Sequence, residues 1–246
     1  MFLIPASLCL LSFDLDPGHP RVKHFVAYLR NDRAVHVDQS MIRAQVYIPM
    51  IREQFQERSI PDSLIWIPLI ESGFTNHAVS PKDAVGMFQF TADTARHMGL
   101  VVNREKDERT DPRRAARACA DYLAYLRGVF GSWELALAAY VSGETKVRRI
   151  CTSQSTYEWS LVEQALPAEI RDYVYKIKAA ALVARAWTLL ERDMVIHGYT
   201  IHRVAAGDTL ISLAEHYGVG IDAIMAINNL SGSLINAGDR IMIPNP

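Results

Sequence analysis

The sequence has little cysteine, no surplus of charge of either sign and no long hydrophobic run. Only three cysteines occur in 246 residues, Cys9, Cys119 and Cys151, and their spacing fits no zinc or redox pattern. Cys119 falls on the apolar face of an expected helix, which suits a buried thiol. A Cys119–Cys151 disulfide stays open, because geometry and not spacing decides it. Lys and Arg number 26 against 27 Asp and Glu, for a net charge of −1. Nucleic-acid binders replace phosphate counterions with a basic excess, so nucleic acid is not an expected partner. The eight histidines are scattered, with no H-E-x-x-H or comparable ligand spacing, and neither a metal nor a cofactor is implied. No apolar run reaches the ~18–20 residues of a membrane span. Residues 1–13 are mostly apolar, but the basic start and small-residue cleavage site of a secretion signal are missing. Leu8 before Cys9 is a poor match to a lipoprotein box. The segment reads either as part of a signal or as a buried N-terminal strand or turn.

What is present is mostly helix pattern. Half the residues are hydrophobic and 22% are charged, an ordinary globular balance. Met41, Ala44, Ile48, Ile51 and Phe55 step by three and four along one apolar stripe. Asp111-Pro112 reads as an N-cap and first helical residue. Ala116, Cys119, Leu123, Leu126 and Phe130 continue that helix to Gly131. A short, very apolar helix is expected over residues 133–141, and a long one from Pro167 to about Leu190. After Glu191 the character changes. Residues 199–204 alternate like a strand, Asp208 is placed to cap a helix from Thr209, a second helix is expected over 221–227, and residues 240–243 read as a closing strand. The expected organisation is a helical lead-in over 1–58, a catalytic domain over 59–190, a linker over 191–198 and a small βααβ unit over 199–246. The composition break suggests that this last unit folds by itself, although under ~50 residues is near the lower limit for independent folding.

Four clusters can carry chemistry. Residues 64–70 (LIWIPLI) run into Glu71-Ser72-Gly73. A carboxyl ending so apolar a helix sits at the mouth of a core, where desolvation raises its pKa. A carboxylic acid still protonated near neutrality can protonate a leaving oxygen. On this evidence alone an exposed helix-end glutamate is an equal alternative. The second cluster is Gly86-Met87-Phe88-Gln89: Gly86 permits close backbone approach, Gln89 suits a sugar acetamide or hydroxyl, and Met87, Phe88 and Phe90 read as core. The third is Ala139-Tyr140-Val141-Ser142-Gly143, where Tyr140 either presents its hydroxyl to a cleft or is a satisfied core tyrosine. In the fourth, residues 166–174, Glu169 and Tyr173 share a helix face. The alternative for Glu169 is a solvated first-turn acid favoured by the helix dipole.

In this order and spacing the four clusters resemble the soluble lytic transglycosylase family, whose pattern runs E-S, G-x-x-Q, A-Y-N-x-G and L-P-x-E-T-x-x-Y-V. The flanks, with Pro61, Pro68 and the stretch Asp107-Glu108-Arg109-Thr110-Asp111-Pro112, are similar to its membrane-bound members, and the likeness covers most of the chain from about Phe13. The resemblance implies a mainly α fold with a goose-type-lysozyme-like catalytic domain. It also implies cleavage of peptidoglycan glycan strands in the cell envelope, on the periplasmic side. Glu71 would be the acid/base, and Ser80, Gln89, Tyr140, Glu169 and Tyr173 would orient the sugar or Glu71. The C-terminal unit resembles a LysM module, and Gly207, Asp208, Thr209, Leu234 and Ile235 match that family's glycan groove. Two positions depart from the pattern: Val141 stands where the family has Asn, and Ile170 where it has Thr. Two rivals remain at this level. One is a hydrolase, which needs a second carboxylate for water, with Asp83, Asp93 and Asp111 as candidates. The other is a wall-binding protein with a decayed site.

Overall fold

The computed structural model describes residues 13–188, 194–196, 199–228, 230 and 232–245. The segment at residues 1–12, read above as signal or buried strand, lies outside them, and so does part of the expected linker. Phe13 is buried, with the Lys178 ammonium 5.0 Å from its ring centroid.

Three helices lead in: α1 (Pro20–Arg30), α2 (Ala34–Ala44) and α3 (Ile48–Gln56). The apolar stripe from Met41 to Phe55 is therefore shared by two helices. Pro49, which has no N–H to offer a preceding turn, sits in the first turn of α3 and marks the break. A 3₁₀ turn (Asp62–Trp66) then feeds the one-turn helix α4 (Ile67–Glu71). After α5 (Ala92–His97) come α6 (Pro112–Phe130), α7 (Trp133–Ser142), α8 (Glu144–Ser153), α9 (Trp159–Val162) and α10 (Ala168–Thr188). Asp111 caps α6 by accepting from Arg114 N–H, and Gly131 ends it, as expected from the sequence.

The centre of this body is α7 with α10. Trp133 and residues 135–139 are all buried, so α7 is covered on nearly every side up to Ala139 and belongs inside a bundle. The alanines of α6, at 115, 116, 118 and 120, let it approach α7 closely. Helix α10 packs on α1, α7, the 3₁₀ turn and α4. Inside it Lys178 is buried and pairs with Glu134 of α7 at 3.0 Å, a polar tie that fixes how the two helices mate. Cys119 and Cys151 are both buried free thiols, so the disulfide left open above is not formed.

The C-terminal unit consists of β1 (Met194–Ile196), β2 (Tyr199–Arg203), α11 (Leu210–Tyr217), α12 (Ile221–Asn228) and β3 (Arg240–Pro244). Its sheet is antiparallel in the order β1-β2-β3. β1 falls inside the stretch read as a linker, so the sheet has one strand more than the expected βααβ. Val204, Leu210, Leu213, Ile224, Ile241 and Ile243 form a small core of their own.

The unit is not free-standing, however. Tyr199, Ile201 and Met242, from the other face of the sheet, join the main core. Buried Asp38 of α2 accepts from Trp187 Nε1–H at 3.0 Å and from Tyr199 O–H at 2.7 Å. Gln45 pairs with β3 as another strand would. Its Nε2–H donates to Arg240 O at 2.9 Å, and its Oε1 accepts Arg240 N–H at 2.8 Å. Two residues on, Asn228 does the same at Met242, at 2.7 and 2.8 Å. Among the described residues, no single helix is long and apolar enough to cross a membrane.

Candidate active site

Glu71 is the last residue of α4. The chain then turns sharply: Gly73 and Phe74 both take left-handed φ, +59° each, and Phe74 is fully buried. A left-handed non-glycine residue costs about 1 kcal/mol or more and persists only where its surroundings hold it. Ser72 supplies part of that hold. Its hydroxyl donates to Met87 O at 2.8 Å and accepts Thr75 N–H at 3.1 Å.

The loop receiving Ser72 is itself tightly built. Short antiparallel bridges join Val79 to Val85 and Val85 to Phe90. Gly86 lies against the backbone of Arg109, and a Cβ there would stand 2.0 Å from Arg109 O, so no other residue fits. Arg109 is buried and donates from Nη1 to Asp83 O and Phe90 O, both at 3.1 Å, while Asp107 holds its other side. Met87, Phe88 and Phe90 are core, as read from the sequence, and Tyr140 and Tyr122 pack around Phe90.

Two tyrosines close the arrangement. Tyr140, from α7, donates to Phe88 O at 2.7 Å, and the Cys119 thiol lies 4.0 Å from its hydroxyl. Tyr173, from α10, donates to Glu71 Oε1. All four clusters therefore meet. The carboxyl end of α4 touches α10 directly, and reaches α7 through the Met87–Phe88 backbone. Glu71 keeps some contact with solvent, but its surroundings are overwhelmingly protein. Burial pushes its pKa up to about 7, against the opposing pull of the Tyr173 hydrogen bond. Burial also raises the hydroxyls of Tyr140 and Tyr173 well above the ordinary range, so both remain donors.

Other expected residues are placed differently. Gln89 turns its amide inward, donating to Gly86 O at 2.9 Å and Ala78 O at 3.2 Å, so it shapes the loop. The Ser80 hydroxyl accepts the N–H groups of Lys82 and Ala84 and stiffens the same loop. Glu169 is exposed in the first turn of α10 and bonds no side chain among the described residues, whereas Tyr173 on the same face reaches Glu71. Val141 is 44% exposed. Asp83, Asp93 and Asp111 are all exposed. Asp93 pairs with Arg96 and Asp111 caps α6, and among the described residues no second carboxylate shifts the pKa of Glu71.

In the C-terminal unit the two candidate loops are neighbours, because Val204 N–H donates to Asp239 O and Gly238 N–H to Val204 O, at 2.8 and 2.7 Å. Asp208 is not the helix cap. Thr209 caps α11 in a reciprocal pair with Ser212, a closer geometry than Asp208 offers. Asp208 instead accepts Ala205 N–H at 2.7 Å and lies 2.9 Å from His202 Nε2. These contacts, led by the His202 bond, hold its pKa below the usual carboxylate value. Gly207 carries no side chain into the groove, Leu234 is 82% exposed, and Ile235 packs partly against the unit's own core.

Residues 49–161 match the family model described as the transglycosylase SLT domain, and residues 202–244 match the LysM domain. The chain carries an SLT domain followed by a LysM domain. It is 35% identical over 158 residues to membrane-bound lytic murein transglycosylase D of Escherichia coli K12, covering 62% of this chain and 34% of that protein. With membrane-bound lytic murein transglycosylase C of Cronobacter sakazakii it shares 27% identity over 177 residues, covering 61% and 48%. The chain thus spans about a third of the length of the first relative and about half of the second. The 70 kDa soluble lytic transglycosylase SLT70 of Escherichia coli has a similar fold, with a TM-score of 0.51 at 23% identity over 58% of this chain and 24% of that one. The SLT match stops at residue 161, yet Tyr173, which touches Glu71, lies on the helix beyond it.

Sequence reasoning passed over Ser72 and Arg109 as site builders. The signal for Arg109 was the invitation to close approach at Gly86, which left its partner 23 positions away unnamed.

Proposed function

We propose that this chain is a peptidoglycan lytic transglycosylase of the cell envelope, acting on the periplasmic side, with Glu71 as its one acid and base. The observation that carries this reading is the buried carboxyl of Glu71, whose pKa burial pushes up to about 7, held by Tyr173 with no second carboxylate beside it among the described residues. Glu71 gives its proton to the oxygen bridging N-acetylmuramic acid and N-acetylglucosamine, and the C1–O bond breaks. The muramyl 6-hydroxyl then attacks C1 and returns its proton to Glu71, leaving a 1,6-anhydro ring. No water is consumed, so a second carboxylate is unnecessary. Tyr173 orients Glu71, while Ser80, Gln89 and Tyr140 hold the cleft in shape. Val141 deprives the substrate of one amide contact. A neutral hydrogen bond is worth ~0.5–1.5 kcal/mol, roughly tenfold in rate at most, too little to silence an enzyme.

Mass spectrometry of digested sacculi tests the reading. Anhydro-muropeptides are the expected product. Reducing ends would replace the proposal with hydrolysis, and no release would leave a wall binder. The pH dependence follows from the carboxyl. Cleavage needs protonated Glu71, so the rate is expected to fall as pH rises through about 7, approaching about tenfold per unit above it. A rate that climbs from pH 6 to 8 would exclude Glu71 as the acid.

The LysM domain holds the substrate in this reading, through Thr209, Leu234 and Ile235, with Gly207 and Asp208 shaping the loop. Leu234 is so exposed that Leu234→Asp leaves the core intact. Reduced pelleting of that variant with purified sacculi is expected. Equal pelleting would remove Leu234 from the binding surface.

A further inference from the structure

The lead-in helices do more than cover the catalytic domain. Arg43, near the end of α2, is half-buried, and burial lowers its pKa from that of a free guanidinium. Among the described residues no carboxylate forms an ion pair with it. Its Nε–H donates to Gly73 O at 2.8 Å and its Nη2–H to Ser40 Oγ at 3.1 Å. Ser40 is fully buried and donates in turn to His36 O. The same three side chains crowd Gly73 from behind. A Cβ there would stand 2.6 Å from Ser40 Oγ, 3.0 Å from His36 Cε1 and 3.1 Å from Arg43 Nη2. A little further on, Asn76 Nδ2–H donates to Tyr47 O–H at 2.8 Å.

Taking a guanidinium out of water without a counter-charge is costly, and here one of its bonds goes to Gly73 O, in the turn that follows Glu71. Phe74 is left-handed at φ +59°, a geometry that a non-glycine residue keeps only where its surroundings pin it. From inside, Ser72 pins the turn to Met87. From outside, Gly73 O is bonded by Arg43.

We propose that Arg43, seated on Ser40, is a positioning residue that fixes the strained Glu71–Phe74 turn and so aims the Glu71 carboxyl at the scissile oxygen. Its catalytic consequence rests on the acid/base reading of Glu71; the positioning itself does not. A misplacement of about 1 Å costs as much as ~10²-fold in rate. Arg43→Met keeps the stem's bulk and removes every donor. It is expected to lower kcat ~10–100-fold, with KM changed by less than about threefold. Arg43→Lys, which still reaches Gly73 O with one donor, recovers part of that loss. A looser turn also admits water to the carboxyl, so Glu71, followed by NMR in the full chain, titrates below its wild-type value of about 7.

A folded Arg43→Met protein with unchanged kcat and an unchanged Glu71 titration overturns the proposal. So does a raised KM with kcat intact, which would make Arg43 a binding residue. If Arg43→Met does not fold, Arg43→Gln carries the same measurements, because it stays polar but is too short to keep both contacts. Failure of the underlying reading looks different. Activity in Glu71→Gln would end Glu71's role as acid, while the Glu71 titration in the Arg43 variant still decides whether the turn is clamped.

Discussion

Glu71→Gln is expected to abolish glycan cleavage and to leave the protein folded, with stability equal to or above that of the parent at neutral pH. General acid/base catalysis alone supplies ~10²–10⁴-fold, and here one group serves both proton transfers. Gln keeps the shape and still accepts the hydrogen bond from Tyr173, so the pocket has no reason to rearrange. The stability change has a definite sign. In the unfolded chain the carboxyl ionises near its ordinary 4.5, whereas in the fold it keeps its proton to about 7. Stability is therefore lost as pH rises from the first value through the second. Gln escapes that loss, a gain on the order of 1–3 kcal/mol at pH 8. Turnover on purified peptidoglycan, with thermal melts at pH 5 and pH 8, checks both halves. Near-normal turnover by the folded variant would sink the mechanism.

Truncation after Met194 is expected to destabilise the helical body that carries Glu71. The sequence suggested a module that could be removed cleanly, and the buried seam argues otherwise. The cut strips Tyr199, Ile201 and Met242 from the main core. Each such side chain contributes ~1.5–3 kcal/mol by burial. Asp38 also loses the Tyr199 hydroxyl and becomes a buried carboxylate short of a donor, a further cost of about 1–3 kcal/mol. Domains have only ~5–15 kcal/mol in hand. A fall in Tm of more than about 10 °C is expected at this chain length. Equal melting temperatures for full-length and truncated protein would show that the seam contributes nothing. The cut also confounds wall retention with stability, which is why Leu234→Asp is the cleaner test of anchoring.

The parts of the site that sequence disclosed are those that local rules govern. The apolar approach of residues 64–70 made a buried carboxyl at Glu71 as good a reading as an exposed one, and the Asp111 cap and the Gly86 close approach followed from residue type. What escaped was long-range. The i, i+4 spacing of Glu169 and Tyr173 said that they share a face, but not that the first turn of α10 lies clear of the site. Arg43 lies 30 positions from Gly73 and Asp38 lies 161 from Tyr199; no periodicity reaches that far. The LysM seam was hidden for a further reason. In β3, Ile241 and Ile243 face the module's own core while Met242 between them joins the main one, so both faces of the strand are buried and alternation alone does not say against what.

The outer edge of β3 is covered by carboxamides, Asn228 at Met242 and Gln45 at Arg240. An open edge of this kind is where strands of other molecules add, and folded proteins block it by charge, by bulges or by cover. Half of the cover here is lent by Gln45, at the end of lead-in helix α2. A LysM module excised from this chain would therefore carry an unguarded stretch of strand at Arg240, ready to recruit a second copy. Grafted onto another enzyme, it would need a host residue to take the place of Gln45. The exchangeable unit in this protein is thus larger than the module that sequence delimits, and includes the end of helix α2.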